Sequence, residues 1–264
     1  MNEHRPRKRY GQHFLHDANV LNRLVAAIRP QASDHFVEIG PGQGALTGPL
    51  LGSGARVDAI EIDRDLAGAL PSRLPSTRLQ VYQADALKFD FGQLADAGLR
   101  LVGNLPYNIS TPLLFHALAS GTLFRDIHVM LQKEVVDRMA ATPGSRDYGR
   151  LSVALAARCQ VEPLFTIRPG SFSPPPKVDS AFVRVTPAPE RLALIDSQAH
   201  FDRLLARVFS MRRKQLVNSL KGICSAARIA ALGIDPQNRP ETLTADDFVR
   251  LANDYAQRGL QDAE

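Results

Sequence analysis

The segment Gly103-Asn104-Leu105-Pro106-Tyr107 concentrates more chemistry than any other stretch of this chain. A primary amide followed by a peptide carbonyl beside a stiff proline offers two acceptors of fixed direction. Tyr107 adds a flat ring on which a flipped-out base can stack. Such a set suits an aromatic amine. The lone pair of an arylamine is conjugated into its ring, so the amine attacks an electrophile only when acceptors hold its hydrogens and turn the lone pair outward. Asn104 Oδ1 and the Leu105 carbonyl are those acceptors. If the electrophile is a sulfonium methyl group, no strong base is required. The ammonium that forms is acidic and yields its proton to water, so position and electrostatics supply the acceleration. In isolation the same residues read equally as an Asx-Pro turn with a core tyrosine.

Further residues imply a ligand beside this segment. Val37-Glu38-Ile39-Gly40-Pro41-Gly42-Gln43-Gly44 sets a strand against a glycine turn, and Ala45 to Leu51 then has helical spacing. Backbone without Cβ atoms lets a ligand approach closely, and a helix start offers free N–H groups. The third glycine falls one position early for the dinucleotide fingerprint. Glu61 stands 21 residues after Gly40, at the end of the next strand, where a carboxylate accepts from both hydroxyls of a ribose. Asp85 ends the third strand, where it can accept from an adenine amino group. Each acid taken singly reads as a helix cap or a surface ion pair, and Glu61 fits NAD as well as S-adenosylmethionine. In this order they describe a pocket for a nucleoside carrying an amino acid. Phe172 precedes Pro174-Pro175-Pro176; it either presents its ring to the opposite face of the same base or plugs an interface, and spacing leaves both open.

The elements that must position these groups follow from periodicity. Strand-length apolar runs at Phe36–Ile39, Arg56–Glu61, Leu79–Tyr82, Leu99–Val102, Ile127–Leu131, Pro163–Ile167 and Ala181–Val185 alternate with helical stretches, which predicts a parallel sheet covered by helices. A closing pair of strands joined by the proline-rich segment departs from a plain dinucleotide fold and fits the Rossmann-like methyltransferase variant. Beyond Pro187 only helical spacing remains, over 201–221, 226–232 and 245–256, with Thr244 as the expected N-cap of the last. The chain therefore divides into an N-terminal extension plus α/β domain over 1–187 and a small all-helical domain over 188–264.

The formal charge of +5 is unevenly spread. Arg5, Arg7, Lys8 and Arg9 against Glu3 give the first ten residues +3, and residues 201–222, including Arg212, Arg213 and Lys214, carry +5. The rest of the chain is net negative, so two local patches face a polyanion, with a solubilising tail and a solvated helix face as the bland reading. The two cysteines, Cys159 and Cys224, lie in no CxxC spacing and the histidines form no ligand motif, so no metal and no disulfide are expected. No apolar run approaches the roughly 20 residues that cross a bilayer, and no apolar stretch follows the charged start. A cytoplasmic protein without membrane attachment is expected.

These residues resemble the KsgA-type ribosomal RNA adenine dimethyltransferases, relatives of the erythromycin-resistance methylases. The matching segments are YGQHFL from Tyr10, VEIGPGQGALT from Val37, IEID from Ile60, QADAL from Gln83, GNLPYNIST from Gly103, MLQKEVVDR from Met130, YGRLSV from Tyr148 and FSPPPKVDSAFVR from Phe172. The resemblance implies N6,N6-dimethylation of two adjacent adenosines in the 3′-terminal hairpin loop of 16S-type rRNA, with S-adenosylmethionine as donor, late in small-subunit assembly, by a monomer acting on the immature subunit. It implies cofactor contacts at His13, Leu15, Gly40, Glu61, Asp85 and Asn104, base contacts at Asn104, Tyr107 and Phe172, and rRNA contacts by the basic tail and the helical domain. The family commonly has Asn where this chain has His13. A large-subunit methylase of the resistance type shares the pocket, and a nicotinamide-dependent oxidoreductase would share its glycine turn and Glu61.

Overall fold

The computed structural model of the chain describes Arg7, residues 11–94 and residues 97–261. Nine strands occur among them: β1 (Phe14–Leu15), β2 (His35–Ile39), β3 (Arg56–Glu61), β4 (Leu79–Gln83), β5 (Leu99–Asn104), β6 (Phe124–Gln132), β7 (Cys159–Ile167), β8 (Phe172–Ser173) and β9 (Ser180–Pro187). Helices α1 (Ala18–Ile28), α2 (Thr47–Gly52), α3 (Arg64–Arg73), α4 (Ser110–Ala119) and α5 (Lys133–Met139) alternate with the early strands. Seven strands form one sheet in the order β4-β3-β2-β5-β6-β9-β7. The pairs β2–β3, β3–β4, β2–β5 and β5–β6 are parallel, and β9 runs antiparallel to β6.

The central strands β2 and β5 are buried almost throughout because helices cover both faces, which explains their continuous apolar runs. After β2 the chain winds outward through β3 and β4, then returns to place β5 on the other side of β2. That reversal opens a crevice at the carboxyl ends of β2 and β5, where ligands of such sheets gather. Gly103 permits the closeness of the two strands there, since a Cβ on it would come within 2.5 Å of the Ile39 carbonyl oxygen. The core beneath includes Leu24, Phe36, Leu50, Val57, Val102 and Phe182. Each predicted strand is present, and the short antiparallel pair β1–β8 joins them.

The chain separates into two compact units. One comprises residues 1–136 and 162–187, the other 137–161 and 188–264. The expected division at 187/188 coincides with a point where the chain passes from one unit to the other, and residues 137–161 lie in the second unit. Within the second unit, α6 (Arg150–Ala156) buries Val153 and Leu155. Tyr148 donates to the Leu243 carbonyl at 2.7 Å, and Arg158 pairs with Asp202 at 3.1 Å. An apolar run as short as Leu151–Ala157 carries no mark of which core it will enter. The remaining helices of this unit are α7 (Pro189–Leu192), α8 (Gln198–Ser210), α9 (Leu216–Ser219), α10 (Ala226–Ala231) and α11 (Ala245–Gln261). The expected helix over 201–221 is broken after Ser210, with Gln215 in extended conformation before α9. Arg212 stabilises the turn by donating to Glu241 and to the Arg146 carbonyl. Thr244 caps α11 as expected: its Oγ1 accepts from Asp247 N at 3.2 Å, while the Asp247 carboxylate accepts from Thr244 N at 2.8 Å.

Candidate active site

The crevice at the switch point is a partly open cleft that encloses about 90 Å³. Its walls come from the ends of β2, β3, β4 and β5 and from residues 11–14. Gly40, Glu61 and Asp85 all line it, in the order in which their strands lie. The turn after β2 runs through Gly42 at φ +56°, and a Cβ there would press to 3.0 Å from the Phe14 ring. A larger residue would fill this cradle, which is shaped for close approach of a ligand to backbone.

Glu61 is buried, and both its oxygens are already engaged on one side: Oε2 accepts from Gly42 N at 3.2 Å and Oε1 from Asp63 N at 2.9 Å. Burial pushes its carboxyl above the ordinary carboxylate range, and these backbone donors draw it part of the way back. Each oxygen keeps lone pairs for a ligand, so a vicinal diol fits its open side. Asp85 Oδ1 accepts from Leu87 N at 3.0 Å, which holds the carboxylate at the far wall. Ile62, 45% exposed, adds an apolar surface to the cleft wall. The donor set and the glycine cradle fit a nucleoside with an amino-acid tail. Among the described residues no three His, Cys, Asp or Glu side chains gather as a metal cage.

Asn104, Leu105, Pro106 and Tyr107 form the adjoining wall. Asn104 Nδ2 donates to the His13 carbonyl at 2.7 Å, and that bond decides which end of the amide faces the cleft. With nitrogen committed to the backbone, Oδ1 is the acceptor left for a ligand. No loop, turn or cap backbone N–H among the described residues donates to the Leu105 carbonyl, which is the next acceptor along the same wall. The Tyr107 hydroxyl is tied to Ser180 Oγ at 2.8 Å, and its half-buried ring lies 6.0 Å from the His13 ring at 27°. Burial raises the phenol above its usual range, which keeps it neutral. His13 Nδ1 is 2.7 Å from the Pro174 carbonyl; a carbonyl only accepts, so Nδ1 carries the hydrogen.

Of the expected site residues, His13, Gly40, Glu61, Asp85, Asn104, Leu105 and Tyr107 thus meet at one cleft. Two are not among the residues that line it. Phe172 is 3% exposed and packs in the cluster with Leu15, Val20 and Phe182. Leu15 belongs to the same cluster, and Phe14 takes the cleft-facing place instead. Strand alternation explains the exchange: β1 pairs with β8 as Leu15↔Phe172, so neighbours along β1 face opposite ways. Phe14, Ile62 and Gln12 line the cleft without having been singled out by their spacing.

The basic candidates also differ among themselves. Arg5, Lys8 and Arg9 lie outside the described residues. Arg7 donates to Asp63 Oδ1 at 3.1 Å and to Asp65, so its charge is met within the chain. Arg212 is likewise committed to Glu241. Arg213 and Lys214 are exposed, with no ion-pair partner among the described residues.

Residues 3–257 match the family model described as ribosomal RNA adenine dimethylase. Ribosomal RNA small subunit methyltransferase A of Nitrosococcus oceani is 55% identical over 94% of this chain and 95% of its own length. Its counterpart in Pseudomonas aeruginosa is 52% identical over 97% and 96%. Among solved structures, a dimethyladenosine transferase from Plasmodium falciparum superposes with TM-score 0.80 at 28% identity, covering 94% of this chain and 98% of that one. The 23S rRNA methyltransferase ErmE shares the fold, with TM-score 0.72 at 24% identity over 92% and 100%.

Proposed function

Since the chain belongs to the ribosomal RNA adenine dimethylase family, we propose that the cleft transfers methyl groups from S-adenosylmethionine to the N6 amines of two adjacent adenosines in the 3′-terminal hairpin loop of 16S-type rRNA. When bound, that donor supplies an electrophilic methyl on a sulfonium. Glu61 holds the ribose hydroxyls, Asp85 the adenine amino group, and the Gly40–Gly44 turn the amino-acid end. In the first transfer Asn104 Oδ1 and the Leu105 carbonyl would take the two hydrogens of the target amine, and in the second the one that remains, freeing the lone pair for attack as the methyl–sulfur bond breaks and a thioether leaves, while Tyr107 would stack on the base. The proton of the resulting ammonium leaves to water.

The observation that carries this reading is the 2.7 Å bond from Asn104 Nδ2 to the His13 carbonyl. It pre-orients an acceptor, so no reorganisation is needed at the moment of reaction. Full-length relatives above 50% identity named for the small subunit support that subunit as substrate. We place the reaction late in subunit assembly, in the cytoplasm, with a monomeric enzyme whose exposed Arg213 and Lys214 meet phosphates; no described helix is long and apolar enough to cross a membrane. Incubation with labelled donor and undermethylated small subunits, followed by mapping of modified nucleotides, tests it. Label in two neighbouring adenosines near the 3′ end is expected; label elsewhere, or none, overturns the reading.

A further inference from the structure

A chain of side chains runs around the mouth of the cleft and ends on the catalytic amide. It starts at Asp63, which is fully buried. Its backbone N–H is held by Glu61 and its Oδ1 caps α3 by accepting from Asp65 N at 3.0 Å. Asp63 Oδ2 accepts from Gln12 Nε2 at 3.1 Å. The other end of the same amide, Gln12 Oε1, accepts from Arg7 N at 2.8 Å, and the Arg7 guanidinium returns to Asp63. The residue after Gln12 is His13, whose carbonyl receives Asn104 Nδ2. Segment 11–13 is therefore anchored on one side by Gln12 to the end of β3, and on the other by the His13 ring to the Pro174 carbonyl.

We propose that Gln12 is a positioning residue for methyl transfer: clamped to Asp63, it sets the His13 carbonyl that orients the Asn104 amide. The inference rests on the methyltransferase reading of the cleft. A primary amide suits this place because one end must donate to a carboxylate and the other must accept from a peptide N–H. A carboxylate at position 12 would face Asp63 with like charge, and an apolar side chain would remove the hydrogen bond that ties segment 11–13 to this buried carboxylate. Without the clamp the His13 carbonyl drifts, and Asn104 samples orientations in which Nδ2 faces the amine. That loss falls on the reactive geometry, and misplacement of reacting groups by about 1 Å costs on the order of a hundredfold.

The test uses the full-length protein and undermethylated small subunits. Gln12→Ala is expected to lower kcat by about tenfold to a hundredfold, with KM for the subunit held within about threefold. In the ligand-free protein the side-chain NH2 resonance of Asn104, assigned through its absence in Asn104→Asp, is expected to shift or broaden. The double variant Gln12→Glu with Asp63→Asn exchanges donor and acceptor across the same contact and is expected to recover most of kcat. A Gln12→Ala enzyme with wild-type kcat and an unmoved Asn104 resonance overturns the proposal, as does a folded double variant no more active than Gln12→Ala. Absence of methylation by the wild-type protein would instead overturn the function on which it rests.

Discussion

Glu38 lies on β2 just before the glycine turn, is 2% exposed, and has no cationic partner among the described residues. Neither its Oε2 nor the nearby Thr47 Oγ1 completes a hydrogen bond. Burial pushes its carboxyl from 4.5 up to about 7; the Thr47 hydroxyl opposes this, and the neighbouring Glu61 charge adds a smaller upward push. The folded chain thus holds this proton more tightly than the unfolded chain. Between pH 4.5 and 7 the unfolded state releases it while the folded state keeps it, so stability falls as pH rises through that window. At about 1.4 kcal/mol per pH unit, the shift costs the folded protein about 3 kcal/mol once pH exceeds 7. Glu38→Gln removes the charge and keeps the shape. The variant is expected to match wild type near pH 5 and to gain up to about 3 kcal/mol at pH 8, or on the order of 6–12 °C in Tm. Urea or thermal unfolding of both proteins at the two pH values reads the difference of differences, from which titrations common to both cancel. Equal stability offsets at pH 5 and pH 8 would show that Glu38 is not held neutral by burial.

Other substitutions separate roles that share the same region. Asn104→Ala is expected to abolish methyl transfer while binding to the small subunit survives in a filter or sedimentation assay; parallel loss of both would contradict its assignment to chemistry. Phe172→Ala is expected to cost about 3–5 kcal/mol in urea unfolding, and Phe172→Leu to keep most activity, whereas a stable but inactive Phe172→Leu enzyme would restore the ring to the base. Replacing Arg213 and Lys214 together by Ala should lower the slope of log K against log salt for rRNA binding by about 1.4–1.8 without changing Tm. Arg212→Ala, which breaks contacts to Glu241 and the Arg146 carbonyl, should instead show itself first as a lower Tm.

Much of the site is legible in the sequence itself. Gly40, Glu61, Asp85 and Asn104 stand at the ends of successive strands, and strand periodicity plus the glycine turn are local properties that a linear pattern displays. Because parallel strands must all deliver their carboxyl ends to one edge, locating the strand ends was enough to bring those four residues together. Tertiary contacts decided the rest, since they join positions with no periodic relation. The orientation of the Asn104 amide depends on a carbonyl 91 residues away, and the Gln12 clamp spans 51. Phe172 went to the core because β8 pairs with β1, an event two residues long that leaves no trace in spacing. Arg7 and Arg212 look identical to free phosphate ligands in a string of letters until Asp63, Asp65 and Glu241 are seen to neutralise them. Residues 137–161 read as a continuation of the α/β pattern, yet belong with the helices of the second unit. Side-chain partnership is a matter of distance in space, and only the folded chain sets those distances.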